Sequence, residues 1–296
     1  MTMAAKFKIG TLVVIGVGLI GGSFALALKK AKAVKRVIGV GRTRRNLAAA
    51  LELGIIDEIA LDAGAAVERA DLVFLGVPVG QMGQTMARIA PHLTQRAVIT
   101  DAGSTKQDVI EQARRFLNDH FKRFVPGHPI AGTENSGAAA AFPDLYAGKK
   151  VILTPQRETA RSAVKLVRDA WLACGAEVVR LGAREQDVIF GAVSHLPHVA
   201  AYALLGTLAR RKDAPKLLGY SGAGLRDTVR IAGSSPEMWR DICIANRDTL
   251  LALLDDYLDE LELARAAIAS NDGDALAAMF ERARAARRRW LLRARA

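Results

Sequence analysis

Apolar and polar positions alternate between two periods along the first half of the chain. Short, largely apolar runs at residues 12–15, 37–40, 72–75, 97–100 and 124–126 have the length of strands buried on both faces. Between them, apolar residues recur at helical spacing, for example over 23–30, 46–53 and 107–117. This alternation predicts an α/β fold with a parallel, doubly wound sheet. Two further strands, 150–153 and 177–180, flank a helical stretch at 158–171. Beyond Gly182 the strand signal stops. Residues 184–290 are rich in Ala and Leu at helical spacing, with turns at 213–215, 234–236 and 271–273. The expected organisation is a nucleotide-type domain over 1–182 and an all-helical domain over 183–296. An alanine-rich, aromatic-poor helical half predicts packing against a second copy, hence a homodimer.

The first strand runs into Gly16-Val-Gly-Leu-Ile-Gly21, a match to the G-x-G-x-x-G dinucleotide fingerprint of Rossmann-type domains. Gly16 allows the tight turn, Gly18 lets backbone approach a pyrophosphate, and Gly21 lets the helix pack on the strand. Leu19 and Ile20 open the helix whose N-terminal N–H groups would face the phosphates. A secretory core behind Lys6 and Lys8 would suit four glycines within seven residues poorly.

Composition changes this picture little. The 296 residues are 51% hydrophobic and 24% charged, which is ordinary for a globular protein able to bury a sizeable core. No uninterrupted apolar run of membrane-spanning length stands out. Cys174 and Cys243 lie far apart without metal or redox spacing, so a reduced cytoplasmic protein is expected. The net charge is +12, and seven arginines in the last fifteen residues supply more than half of it. Trp290 alone interleaves them, so they read as a solvated helix end that suits the C-terminal dipole. Neither a nucleic acid nor a membrane is an expected partner.

At the end of the second strand, an NAD site normally places an acid for the ribose 2′-hydroxyl. Here Arg42 stands in that position, with Thr43 and Arg45 beside it. A guanidinium pairs with a 2′-phosphate through charge-assisted bonds, so NADP is favoured and NAD remains possible.

Several clusters past the fingerprint could carry chemistry. Val77 and Pro78 follow the third strand, and Gly103 and Ser104 follow the fourth, where a parallel sheet builds its ligand crevice. Residues 127–134, Gly-His-Pro-Ile-Ala-Gly-Thr-Glu, form a loop after the fifth. Its His128 has Ser104, Thr133 and Glu134 as hydroxyl-bearing or titratable company. His195 and His198 lie three residues apart on one helix face without acid or thiolate partners, so no metal is expected. Arg226 and Arg230, four apart on a helix, suit a dicarboxylate.

The loop 127–134, the Ser-His-Leu-Pro-His run at 194–198, and Arg-Ile-Ala with Pro-Glu-Met-Trp-Arg-Asp over 230–241 resemble the motifs of prephenate and arogenate dehydrogenases. These are the oxidoreductases of tyrosine biosynthesis. The resemblance implies a Rossmann domain joined to a helical dimerisation domain. It implies oxidative decarboxylation of prephenate to 4-hydroxyphenylpyruvate, of arogenate to tyrosine, or of both. By motif, His128 resembles the catalytic histidine and Ser104 the serine supporting it. Thr133, Glu134, His198, Arg226 and Arg230 resemble substrate-pocket positions, and His195 is grouped with them. Trp239 resembles a residue lying near the pocket of the neighbouring subunit. Neither a chorismate mutase domain nor an ACT-type regulatory domain is expected in this length. The alternatives are another Rossmann-plus-helical reductase, of pyrroline-carboxylate or hydroxyacid type, and a non-catalytic NADP-sensing or nucleic-acid-binding protein.

Overall fold

The computed structural model describes residues 7–133 and 135–293. Nine strands and thirteen α-helices are assigned among them. The strands are β1 (Ile9–Ile15), β2 (Val34–Val40), β3 (Glu58–Ala60), β4 (Leu72–Leu75), β5 (Val98–Asp101), β6 (Phe124–Val125), β7 (Gly127–Pro129), β8 (Lys150–Leu153) and β9 (Glu177–Arg180). The first helices are α1 (Leu19–Lys30), α2 (Arg44–Glu52), α3 (Ala63–Val67), α4 (Val79–Ile89), α5 (Gln107–Leu117) and α6 (Arg161–Ala173). The later ones are α7 (Ala183–Phe190), α8 (Leu196–Ala209), α9 (Ala214–Gly219), α10 (Ala223–Val229), α11 (Pro236–Ala245), α12 (Arg247–Ala269) and α13 (Gly273–Arg293). The chain divides into two compact units, Met1–Arg247 and Asp248–Ala296.

In the first unit, six parallel strands form a sheet in the order β3-β2-β1-β4-β5-β6. The order reverses direction between β1 and β4, so a crevice opens beyond their carboxyl ends. Side chains alternate across the sheet, and each face has its own core. Leu12, Val14, Leu72 and Phe74 pack with Phe24 and Leu28 of α1 and Trp171 of α6. Phe24 lies 4.5 Å, ring centre to ring centre, from both Phe74 and Trp171. On the opposite face, Val13, Ile15, Val73 and Leu75 pack with Met82 and Met86 of α4, and α11 adds Trp239 and Ile242. All of these side chains are buried, which is why strands β1 and β4 read as unbroken apolar runs.

Two elements depart from the sequence expectation. Strand β3 is a three-residue edge strand that is only half buried, so it carries no apolar run to announce it. The loop expected at His128 is instead strand β7. Pro126 has no N–H to donate and ends the pairing of β6. The chain then crosses to a second sheet, β7-β8-β9, in which His128 sits opposite Ile152 in an antiparallel pair. The prolyl carbonyl is still used, accepting from the Thr154 N–H at 3.0 Å.

Past β9 the first unit is helical. Helices α7 and α8 are joined through a five-residue π-helical turn, Gly191–His195. The continuous helix Ala183–Ala209 is long and apolar enough to cross a membrane by length and composition alone, although no single apolar run reveals it. It also supplies buried polar groups to the site described below.

The second unit consists mainly of α13 and most of α12, with Asn271 in a left-handed conformation (φ 54°) at the turn between them. Both helices expose large apolar side chains, among them Leu258, Leu263, Ile268, Phe280 and Trp290. Arg295 of the basic terminus lies outside the described residues.

Candidate active site

The glycine loop shows three different constraints. Gly16 follows β1 with φ +96°, and a Cβ there would sit 2.4 Å from the Gly76 carbonyl oxygen. At Gly21 a Cβ would lie 2.3 Å from the Gly16 oxygen and 2.8 Å from Val14, so α1 can approach β1 only without a side chain. Gly18 has an ordinary extended backbone (φ −112°), and a Cβ would meet no protein atom within 4 Å. It borders two adjoining cavities, so a side chain there would consume ligand space. A free helix N-terminus behind an open glycine cradle fits a pyrophosphate.

The outer cavity, about 550 Å³, runs from this loop past the end of β2 to one side of α4. Arg42, Thr43, Val77, Pro78, Gln84 and Arg88 line it. Among the described residues, no carboxylate lines it. Arg42 is exposed, and its nearest ion pair, to Glu237 at 3.9 Å, is solvent-screened. Thr43 caps α2 by accepting from the Asn46 N–H at 3.4 Å. Arg45 is exposed and lines neither cavity. Two residues of this wall were not singled out from sequence. Arg88 lies on the exposed side of an ordinary amphipathic helix. Asn46 donates to the Val17 carbonyl at 2.7 Å and accepts from the Ala138 N–H at 2.9 Å, joining the glycine loop to the segment after residue 133.

The inner cavity, about 490 Å³, shares Gly18, Arg42, Val77 and Pro78 with the outer one. Leu19, Ile20, Gly103, Ser104, His128 and Thr133 line it, and α11 closes part of it with Glu237, Met238 and Ile242. The structure therefore brings Ser104 together with His128 and Thr133 from two separate segments. Glu134 lies outside the described residues.

His128 is held by buried polar contacts. Lys106, wholly buried, donates to Asp101 and to the Gly127 carbonyl, the latter at 2.8 Å. Asp101 also accepts from the Gly103 N–H at 2.8 Å and the Gly127 N–H at 3.0 Å. One ion pair thus ties the loop after β5 to the strand bearing the histidine. The His128 ring lies edge-on to Phe190, centres 4.7 Å apart. Burial and the nearby Lys106 charge push its pKa down to about 3, so the imidazole is neutral near pH 7.

Behind it lies a polar chain with no sequence signature. Gln186 Oε1 is 3.2 Å from His128 Nδ1. Gln186 Nε2 donates to the Ser104 carbonyl at 3.3 Å and to Asp187 Oδ1 at 3.0 Å. Asp187 accepts from the Lys106 and Gln107 N–H groups at 2.7 and 2.8 Å, capping α5 from 80 residues away. Asn246 Nδ2 donates to the Asp187 carbonyl at 2.8 Å and to His195 Nδ1 at 3.0 Å. Burial, then the neighbouring His198, lowers the His195 pKa to about 4. Its Nε2 is buried without a partner.

The remaining sequence candidates are less enclosed. His198 stacks on Trp239 with ring centres 3.4 Å apart, and its Nδ1 meets the Ser194 carbonyl at 2.8 Å. Trp239 is itself buried against these rings in its own chain. Helix α10 stops at Val229, so Arg230 opens a tight 3-10 turn instead of continuing the face of Arg226. Both arginines are exposed and line neither cavity, although the Arg230 charge helps keep the His198 pKa low, after burial.

Two family models cover the chain: prephenate dehydrogenase, nucleotide-binding domain, over residues 24–180, and prephenate dehydrogenase, dimerization domain, over 182–282. A cyclohexadienyl dehydrogenase of Zymomonas mobilis is 39% identical over 93% of this chain and 94% of its own length. A prephenate dehydrogenase of Bacillus subtilis is 36% identical over 93% of this chain and 74% of its own. Among solved structures, Aquifex aeolicus prephenate dehydrogenase in complex with hydroxyphenyl propionate and NAD+ matches with a TM-score of 0.87. It is 33% identical and covers 98% of this chain and 99% of that one.

Proposed function

This chain belongs to the prephenate dehydrogenase family, and from that premise we propose how its two joined cavities divide the work. The protein is a dehydrogenase of tyrosine biosynthesis. It oxidatively decarboxylates prephenate, arogenate or both, with hydride transfer to a nicotinamide cofactor.

In the proposed arrangement the outer cavity and glycine loop hold the dinucleotide, and the inner cavity holds the cyclohexadienol ring beside the nicotinamide. The cofactor, when bound, supplies the hydride acceptor. The protein orients the ring and handles the hydroxyl as its carbon gains carbonyl character and the ring carboxylate leaves as CO2. His128 accepts a hydrogen bond from that hydroxyl and draws off its proton, and Ser104 shares the contact. The observation that carries this reading is the neutral, buried His128 in the wall of the inner cavity, which Gly18 of the glycine loop also lines. Thr133, Glu134, His195, His198, Arg226, Arg230 and Trp239 are proposed for substrate binding. The arginines would meet a substrate carboxylate if the helical segment bearing them moves toward the cavity.

We further propose NADP as the preferred cofactor, with NAD usable. Arg42 replaces the expected acid, Thr43 is adjacent, Arg45 lies in the first turn of α2, and no carboxylate among the described residues lines the outer cavity to repel a 2′-phosphate. The helical region from residue 183 onward is proposed as the substrate and dimerisation domain. The exposed apolar flank of Ala183–Ala209 supports a homodimer over a membrane span, because the same helix carries Gln186, Asp187 and His195 into a polar network. A cytoplasmic location fits this reading.

The test is a spectrophotometric assay of prephenate and arogenate with each cofactor, on the parent and on Arg42→Asp. Turnover with neither substrate would overturn the catalytic reading. The NADP over NAD ratio of kcat/KM should exceed one in the parent and collapse in the variant, as repulsion replaces attraction. A parent that strongly favours NAD, or an unmoved ratio, would overturn the NADP assignment alone.

A further inference from the structure

A neutral imidazole carries one proton, and which nitrogen holds it decides whether His128 can accept a hydrogen bond at Nε2. The surroundings of Gln186 fix this. Its Nε2 faces two groups that only accept here: the Ser104 carbonyl at 3.3 Å and Asp187 Oδ1 at 3.0 Å. Each Asp187 oxygen already receives a backbone N–H, from Lys106 or Gln107. Turning the amide over would set its oxygen against both acceptors, so the NH2 end must point to them. Oε1 is then what faces His128 Nδ1 at 3.2 Å, and an amide oxygen can only accept. The proton therefore sits on Nδ1, and Nε2 keeps its lone pair. The same chain gives His195 the reverse state. Asn246 Nδ2 donates to the Asp187 carbonyl and to His195 Nδ1, which leaves the His195 proton on Nε2.

We propose that Gln186 is a positioning residue that locks His128 in the Nδ1–H form, so that Nε2 is presented as the acceptor for the substrate hydroxyl. The proposal rests on the reading of His128 as the catalytic imidazole. Gln186 lines neither cavity. It acts through the ring it orients, and Asp187 acts by preventing the amide from turning. A side chain at 186 that cannot accept would let the proton move to Nε2 and blunt the acceptor in that fraction of molecules.

Imidazole 15N NMR on the intact protein reads this directly, because the chain has five histidines and a protonated nitrogen resonates far from a bare one. The His128 signals are identified by their loss in His128→Asn. Near pH 7 the parent should show His128 protonated at Nδ1 and His195 at Nε2, and in Gln186→Leu the His128 signals should shift toward a mixture of forms. Over the same change kcat should fall about tenfold or more while the KM for cofactor stays within about twofold, as a mispositioned acceptor would give. Gln186→Met, closer in shape, serves if the leucine variant folds poorly. The parent spectrum decides the tautomer without any variant at 186. An Nε2–H His128 in the parent, or an unshifted tautomer in the variants, overturns the proposal, as does a shifted tautomer with kcat unchanged. Failure of the underlying reading is seen separately, as full turnover in His128→Asn.

Discussion

The outer and inner cavities are built by different means. The outer one is framed by backbone at a glycine turn, a helix end and the tips of two strands, with side chains such as Arg42, Thr43 and Arg88 completing its lining. The inner one is lined by segments that follow β4, β5 and β7 and by the start of α11, and the hydrogen bonds that hold it together join residues 26, 59 and 81 positions apart. A backbone site tolerates variation in side chains but not in space. A side-chain site tolerates neither the loss of a partner nor the reversal of one amide.

The sharpest test of that contrast lies within the glycine loop. Gly16→Ala places a Cβ against a backbone oxygen at a positive φ, so the loop must shift. The expected cost is on the order of 4 kcal/mol or more, with cofactor binding abolished. Gly18→Ala should fold with the parent's Tm and lose only cofactor affinity, because nothing but ligand space is taken. Thermal melts with cofactor titration separate the two, and equal behaviour of the variants would break the distinction between backbone room and ligand room.

A smaller effect is expected in the inner cavity. His128→Asn keeps size and removes the basic nitrogen. Turnover should fall by about 10²-fold or more while cofactor affinity is retained. Near-parental turnover would remove His128 from the chemistry and leave the inner cavity as a binding pocket only.

Both buried imidazoles also make stability depend on pH. His128 and His195 have folded pKa values of about 3 and about 4, below the value near 6.5 of an unfolded chain. As pH falls below about 6.5 the unfolded chain gains protons that the folded one refuses. Each histidine then lowers stability by about 1.4 kcal/mol per pH unit, down to its folded pKa. Denaturant midpoints between pH 7 and 4.5 should therefore fall, and less steeply in His128→Asn. A parallel fall would mean that His128 is not neutral in the folded chain.

The same contrast explains what could be read from the sequence. The fingerprint, strands 72–75, 150–153 and 177–180, and helix 107–117 are local patterns, and the structure places them at those residues. The cavity-lining Ser104, His128 and Thr133 follow from motif and sheet-edge logic together. Gln186, Asp187 and Asn246 could not be found in this way. Gln186 and Asp187 sit in a polar run of α7 and Asn246 caps α11, so each is indistinguishable from a solvated position until the fold buries it beside a partner far along the chain. Lys106 belongs to the same network: it is fully buried, because Asp101 and a carbonyl receive it. Strand β7 was hidden by Pro126 and Gly127, whose usual meaning is a loop.

Asn46 sets a boundary for anyone redesigning cofactor choice. The turn after β2 invites grafting from relatives of other preference, since Arg42, Thr43 and Arg45 are exposed. One residue later, the amide of Asn46 is a shared buttress, anchored to Val17 on one side and Ala138 on the other. A transplant ending at residue 45 exchanges specificity alone. One extended through residue 46 would also loosen the segment leading back to Thr133, and would be paid for in substrate recognition.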